Sequence, residues 1–285
     1  MSGTFWGVPD ELVTMHAQGL AAWQIVMVPC LGGLVIGLLC RFILPAPQPQ
    51  GVADVIEANA LRNGRMPAPQ GLAAAFVSAS SIGVGASVGR EGPIVHLGAV
   101  MASWVAQRLH LSPSLSRTLL GCGVSAGIAA AFNAPIAGVF FALEVVIGHY
   151  GLGAFSPVVL ASIIGTIITR VHIGDNPAFV LPPDFVASFW EVPAFVLLGV
   201  VCSGVAIMLM AGTALMIRLH ERVKTPVWVR PMLGGAFVGL IAIRYPEVLG
   251  VGYQITDNAL FARYTVELMF VMAAAKLIAT VISLG

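Results

Sequence analysis

Charge is what this sequence has least of. Of its 285 residues only 9% are charged and 58% are hydrophobic, whereas a soluble domain carries roughly 25% charged residues. That excludes a water-facing surface over most of the chain and leaves a polytopic membrane protein. The 14 basic and 13 acidic residues nearly cancel, to a net charge of +1, so there is no electrostatic argument for nucleic acid or for an acidic partner. Cysteine is scarce as well. Cys30, Cys40, Cys122 and Cys202 all lie in apolar runs with neither a disulfide framework nor metal-ligand spacing, so they read as buried free thiols and no metal is expected. Aromatic residues make up 8% and are scattered, which suits packing and interface anchoring rather than a cofactor site. The alternating pattern of outer-membrane strands is missing, which excludes a barrel. Asp10 and Glu11 precede any apolar run, so the basic start of a secretory signal is missing too.

What is present is a series of apolar stretches at about 20–44, 71–89, 94–107, 118–147, 152–169, 192–217, 228–243 and 264–285. Several fall short of the roughly 20 residues that span a bilayer, and many contain Gly or Pro. The pattern predicts an all-α fold with tilted, broken or re-entrant helices packed against protein rather than lipid. Most charges lie in the connections, such as Arg62, Arg65, Asp175, Asp184, Glu221, Arg222, Lys224 and Arg230.

Gly89-Arg90-Glu91-Gly92-Pro93 is the exception, with two formal charges inside an apolar run. An ionisable group at membrane depth is unfavourable by roughly 2.5 to 3.5 kcal/mol and is by default a functional-site hypothesis. Gly92 permits close backbone approach, and Pro93 suits the first turn of a helix. A helix starting there aims unbonded N–H groups and a positive dipole end beside Glu91, an arrangement that attracts anions.

The chain also resembles itself. Residues 29–38, PCLGGLVIGL, match 231–240, PMLGGAFVGL, at an offset of 202; residues 51–61, GVADVIEANAL, match 250–260, GVGYQITDNAL, at an offset of 199 with six identities in eleven. Two matches in the same order indicate two structurally related halves. Transporter folds built this way place substrate where broken helices of both halves meet. The counterpart of residues 89–93 is expected between about 288 and 295, beyond Gly285, because LIATVISLG at the end aligns with AFVSASSIG at 75–83.

These strings resemble the CLC family of chloride channels and chloride/proton antiporters. Residues 89–98, GREGPIVHLG, are similar to that family's central anion-pathway motif. NAPIAGVFFALE at 133–144 resembles a segment two helices on, and RPMLGGAFVGL with AKLIATVISLG resembles the opening of its second repeat. The resemblance runs from about Trp23 to Gly285. It implies an all-helical, two-repeat membrane domain that forms homodimers, with chloride or a similar small anion held by helix N-termini and backbone amides. It makes Glu91 the gate, a tethered anion that leaves the site on protonation. The implied anion-binding positions are Gln50, Gly51 and Val52 together with Gly89, Arg90, Gly92, Pro93 and Ile94. Gln50 stands where the family usually has serine, and its amide N–H is still a donor. Where the antiporters usually carry a proton-collecting glutamate this chain has Val145, and Leu143-Glu144-Val145 is similar to the channel members. The resulting domain expectation is an N-terminal segment at 1–20, a first repeat with connector at 21–222 and the start of a second, truncated repeat at 223–285.

Several motifs have plainer readings. Arg90 reads as tied to backbone carbonyls or to Glu144. Gly121-x-Gly123-x-Ser125-x-Gly127 contains the string of a hydrolase nucleophile elbow, but that needs a strand before it; small residues in an apolar helix more often serve close packing. Gly33-x-x-x-Gly37 and Gly235-x-x-x-Gly239 invite the same packing reading. Glu144 favours a structural role, His96 reads as a hydrogen-bonded core histidine, and Asn133 reads as a cap ahead of Pro135. The expected function is therefore gated, passive chloride conduction in a bacterial plasma membrane, without enzymatic chemistry or cofactor. The alternatives are chloride/proton exchange, a non-conducting fragment and a membrane hydrolase around Ser125.

Overall fold

A computed structural model of the chain describes residues 21–44, 51–175, 179 and 189–285. Among these residues there is no strand. Eleven α-helices are described: α1 (Ala22–Ile43), α2 (Val52–Leu61), α3 (Ala68–Gly83), α4 (Glu91–Arg108), α5 (Pro113–Phe132), α6 (Pro135–Phe141), α7 (Leu152–His172), α8 (Val192–Val223), α9 (Arg230–Arg244), α10 (Tyr253–Leu260) and α11 (Val266–Leu284). Helices α1, α5, α7, α8 and α11 are long and apolar enough to cross a membrane, and the chain is an integral membrane protein. Others, such as α2 and α10, are too short to span.

The chain divides into two compact units. One comprises residues up to Leu38, Ser81–Val88 and Phe179–Gly285; the other comprises Leu39–Ser80 and Gly89–Ala178. In the second unit the interior is built from Val55, Val95, Leu120, Val124, Leu143 and Val158, all shielded from solvent. Association of apolar helices gains little from water exclusion in lipid, so close backbone approach has to supply the contact energy. Gly98 of α4 lies directly on the Gly123 backbone of α5, Gly138 of α6 on Ser125, and Gly165 of α7 on Ala126. The small residues of α5 are thus packing residues. Ser125 donates its hydroxyl to the Val158 carbonyl at 3.3 Å and sits inside an unbroken helix, so the elbow reading has neither its strand nor its exposed hydroxyl.

Breaks between helices follow from local chemistry. Ser112 caps α5 with Pro113 at its first position, and Asn133 ends α5 in the left-handed conformation (φ 52°). Asn133 therefore does cap, but at the end of α5; the residue capping the start of α6 is Ala134. Helix α6 then widens into a π turn at Ala142–Ile147 that stops at Gly148 (φ 78°).

The other unit holds the internal repeat. Gly33 of α1 presses on the backbone of Pro231, and Gly235 of α9 presses on that of Pro29; Gly37 meets Trp228, and Gly239 meets Val26. The 202-residue offset carries Gly33 to Gly235, Pro29 to Pro231, Gly37 to Gly239 and Val26 to Trp228. Each contact is thus its partner's mirror, as at a two-fold axis. As numbers rise from 26 to 33 along α1 they fall from 239 to 231 along α9, with Gly37 reaching Trp228 in the turn ahead of it, so the two helices run antiparallel. Equivalent helices that cross antiparallel belong to inverted repeats, an orientation the sequence alone does not determine. In the same unit Lys276 of α11 donates to the Val248 and Gly250 carbonyls at 3.0 and 2.6 Å.

Candidate anion site

Within the second unit the starts of α2 and α4 come together. A methyl group placed on Gly92 would stand 3.8 Å from the Gly51 Cα, and one on Gly51 would stand 4.0 Å from the Gly92 Cα. Two positive dipole ends therefore converge, with their first-turn amides unbonded inside their own helices. The Ile94 amide is taken by the Arg90 carbonyl at 3.2 Å and the Val55 amide by the Gly51 carbonyl at 3.4 Å. Pro93, in the first turn of α4, has no N–H to offer. This leaves the amides of Glu91 and Gly92 on α4, and of Val52, Ala53 and Asp54 on α2, without an acceptor inside their helices.

Glu91 is the first residue of α4 and is half-buried. Its carboxylate folds back so that Oε2 occupies the space a Cβ would fill on Gly89. Gly89 is thus glycine for a steric reason: any side chain there displaces the carboxylate. Arg90 turns away to the end of α5, donating to the Ala131 carbonyl at 2.9 Å with its guanidinium 5.1 Å from the centre of the Phe132 ring. A cation at a helix C-terminus, stacked on an aromatic face, is well placed electrostatically, and this agrees with the plainer reading of Arg90.

The remaining candidates sit as follows. Gln50 lies outside the described residues. Gly51 precedes α2 in an extended conformation (φ −157°), and its N–H donates to Asp54 Oδ2 at 2.7 Å. Val145 lies on the π turn, 38% exposed. Its neighbour Glu144, also exposed, accepts a hydrogen bond from the Tyr150 hydroxyl at 3.4 Å. His96 is buried as expected (2% exposed), but its Nδ1 has no hydrogen-bond partner, which departs from the expected bonded core histidine. Asp54 is the residue the sequence reading passed over. Its signal was there: an acid three residues after Gly51, the spacing at which a side chain reaches back to the residue before a helix. Among the described residues no group of three or more His, Cys, Asp or Glu side chains is arranged to hold a metal.

Comparison with known proteins places this geometry. The family profile described as "Voltage gated chloride channel" matches residues 32–285. A putative chloride channel protein ClcB-like from Ralstonia nicotianae is 34% identical over 281 residues, covering 97% of this chain and 65% of that protein. Chloride channel protein CLC-e from Arabidopsis thaliana is 31% identical, covering 96% of this chain and 41% of that protein. The chain thus spans about two thirds or less of the length of these relatives. Among solved structures, a CLC-type fluoride/proton antiporter superposes with a TM-score of 0.80 at 22% identity, covering 98% of this chain and 70% of that one. A slow cyanobacterial Cl−/H+ antiporter gives 0.77 at 18% identity, covering 97% and 68%.

Proposed function

Since the chain belongs to the voltage-gated chloride channel family, we propose that it takes part in chloride transport, and that the transport is passive and gated, with Glu91 as the gate. The observation that carries this reading is Glu91 as the first residue of α4, the helix start that meets the start of α2, with its carboxylate folded over Gly89. An ionised carboxylate there is an intramolecular anion at a place built to attract one. Protonation removes its charge, and the unbonded amides of Glu91, Gly92, Val52 and Ala53 then face an incoming chloride as preorganised donors. Arg90 is a positioning residue that ties the gate turn to the end of α5. The working assembly is a homodimer in a bacterial plasma membrane, a placement that relatives from Ralstonia and Salmonella support.

The competing reading is coupled chloride/proton exchange. The two structural neighbours are antiporters, whereas Val145, at the position where the antiporters usually carry a proton-collecting glutamate, holds no proton. A Glu91→Gln protein in liposomes distinguishes gate from bystander. Chloride flux should rise by about tenfold at neutral pH, the effect of one removed like charge at roughly 1.4 kcal/mol, and lose most of its response to acid. Flux at the unsubstituted level would sink the gate. The reversal potential under a proton gradient separates the two transport modes: a value set by chloride alone fits conduction, and a shift with the proton gradient fits exchange.

A further inference from the structure

Charge is scarce in this chain, yet the second unit gathers four arginines at one end. Between residues 55 and 120 the acids are Glu57 and Glu91, against Arg62, Arg65, Arg90, Arg108 and Arg117. Arg90 and Glu91 stand at the start of α4. Arg108 stands at its end, about 26 Å further along this 18-residue helix.

The turn after α2 is pinned to that far end. Ser103 Oγ accepts from the Met66 N–H and donates to the Gly64 carbonyl, both at 2.8 Å, and Gln107 donates to the Met66 carbonyl at 2.9 Å. A methyl placed on Gly64 would stand 3.1 Å from the Arg117 amide, and Arg117 donates to Asn63 Oδ1 at 2.7 Å. Arg62, Arg65, Arg108 and Arg117 thus share one end of the group formed by α2, α4 and α5, and all four are exposed. Their charge is only partly neutralised. Glu57 pairs with Arg62, Glu144 accepts from Tyr150, and Asp175 pairs with Arg170 beside Asn133, at the other end of α5. Among the described residues Arg65, Arg108 and Arg117 have no ion-pair partner.

Two observations identify what meets this surplus. Helix α5 is long and apolar enough to cross a membrane and begins at Pro113, so its start, and the turn packed on it, stand at the level of the headgroups. Large apolar side chains are also exposed among the arginines: Leu61 by 76%, Leu109 by 64% and Trp104 by 47%, with the Arg108 guanidinium 5.5 Å from the centre of the Trp104 ring. A water-facing surface gains nothing from that mixture. At a bilayer surface the indole sits among headgroups, the leucines enter the acyl layer and the guanidiniums reach phosphates.

We propose that this end of the second unit is a binding surface for anionic phospholipids, with Arg65, Arg108 and Arg117 on the headgroup phosphates and Trp104, Leu61 and Leu109 in the acyl region beneath. The surplus selects net negative charge. A phosphatidylcholine headgroup brings a phosphate together with an ammonium that the guanidiniums repel, whereas phosphatidylglycerol brings the phosphate alone. An arginine near an anionic surface contributes about fivefold in binding. The surface lies a full length of α4 from Glu91, so it stands or falls independently of the gate.

The test is binding of phosphatidylglycerol and of phosphatidylcholine with the same acyl chains to the purified full chain in detergent, read by thermophoresis. Phosphatidylglycerol should bind more tightly, and the preference should shrink as salt rises. Arg65→Gln, Arg108→Gln and Arg117→Gln should each lower phosphatidylglycerol affinity by about fivefold and leave phosphatidylcholine affinity as it was; the triple variant should bind the two lipids alike. Equal affinity for both lipids in the unsubstituted protein overturns the proposal, and so does a preference that survives in the triple variant. Inorganic phosphate binding as tightly as phosphatidylglycerol overturns the lipid surface in favour of a phosphate site. Where the triple variant does not fold, Arg65→Gln decides alone, because that side chain makes no hydrogen bond or ion pair among the described residues; an unchanged phosphatidylglycerol affinity then overturns the proposal.

Discussion

Residues 51–61 and 250–260 share six of eleven residues and each forms a short helix, α2 and α10, yet the loops ahead of those helices have opposite polarity. Before α2 the chain presents amides: Gly51 is extended, and its N–H is held by a carboxylate. Before α10 it presents carbonyls, and the Val248 and Gly250 oxygens converge on the ammonium of Lys276. The difference traces to single residues. Asp54 aligns with Tyr253, and Lys276, at the 202-residue offset, aligns with Ala74. The duplicated pattern therefore supplies the helices and their crossing, while the electrostatic sign of each loop is set by one or two side chains. The half that carries Glu91 presents amides, which suit an anion; the half that carries Lys276 has its carbonyls closed by a cation from its own chain.

Moving the lysine tests that account most severely. Ala74 is 3% exposed, and a charge placed there has no carbonyl cage. Ala74→Lys should destabilise by about 3 to 5 kcal/mol, as for an unpaired buried charge, and leave little monodisperse protein on size exclusion. Lys276→Met, which keeps the aliphatic stem but leaves two carbonyls without their ammonium, should lower stability by about 2 to 3 kcal/mol in thermal unfolding in detergent. If both variants melt like the unsubstituted protein, the polarity of the two loops is not what distinguishes them.

The crossing of α1 and α9 should respond in the opposite way, with equal effects on both sides. A methyl on Gly33 runs into the Pro231 carbonyl, and one on Gly235 runs into the Pro29 carbonyl. Gly33→Ala and Gly235→Ala should each destabilise by about 1 to 3 kcal/mol, the range for overpacking a tight contact. Together they should fall short of additive, because the first separates the backbones that the second would push. Unequal single effects in equilibrium unfolding would mean that the two-fold relation is one of sequence only.

Much of this was legible because glycine, proline and charge are conspicuous against an apolar background. The Gly89–Pro93 turn, the helix start beside it and the repeat could be read directly, and small residues at 33, 37, 235 and 239 announced close packing. What stayed hidden depends on where side chains turn. Asp54 has the spacing of a capping acid, three residues after Gly51, but only the fold shows its carboxylate reaching back to the Gly51 N–H. His96 carries no mark in the sequence that separates a bonded histidine from an unpaired one. The π turn at 142–147 departs from the 3.6-residue period on which helix reading rests. The antiparallel crossing of α1 and α9 needed paired contacts, since a repeat in sequence fixes relatedness but not direction.

The smallest expected effect lies at the glycine that both halves share. Gly250 has φ 69°, in the left-handed region where an added Cβ crowds its own carbonyl, so Gly250→Ala should lower stability by about 1 to 2 kcal/mol. Gly51 has φ −157°, which any residue adopts, and an added methyl meets only the Gly92 Cα at 4.0 Å, an ordinary contact. Gly51→Ala should therefore lower stability by only about 0.5 kcal/mol, the preference of a helix start for glycine over alanine. Its effect should fall on function instead, because the methyl stands between the two amide ends and narrows the approach of an anion to them. Melting temperature and chloride flux measured on both variants separate the two roles. Gly250→Ala should move the melt more than the flux, and Gly51→Ala the flux more than the melt. A reversed order would mean that α2 keeps its glycine for the turn, and that the space beside Gly92 is not where the anion passes.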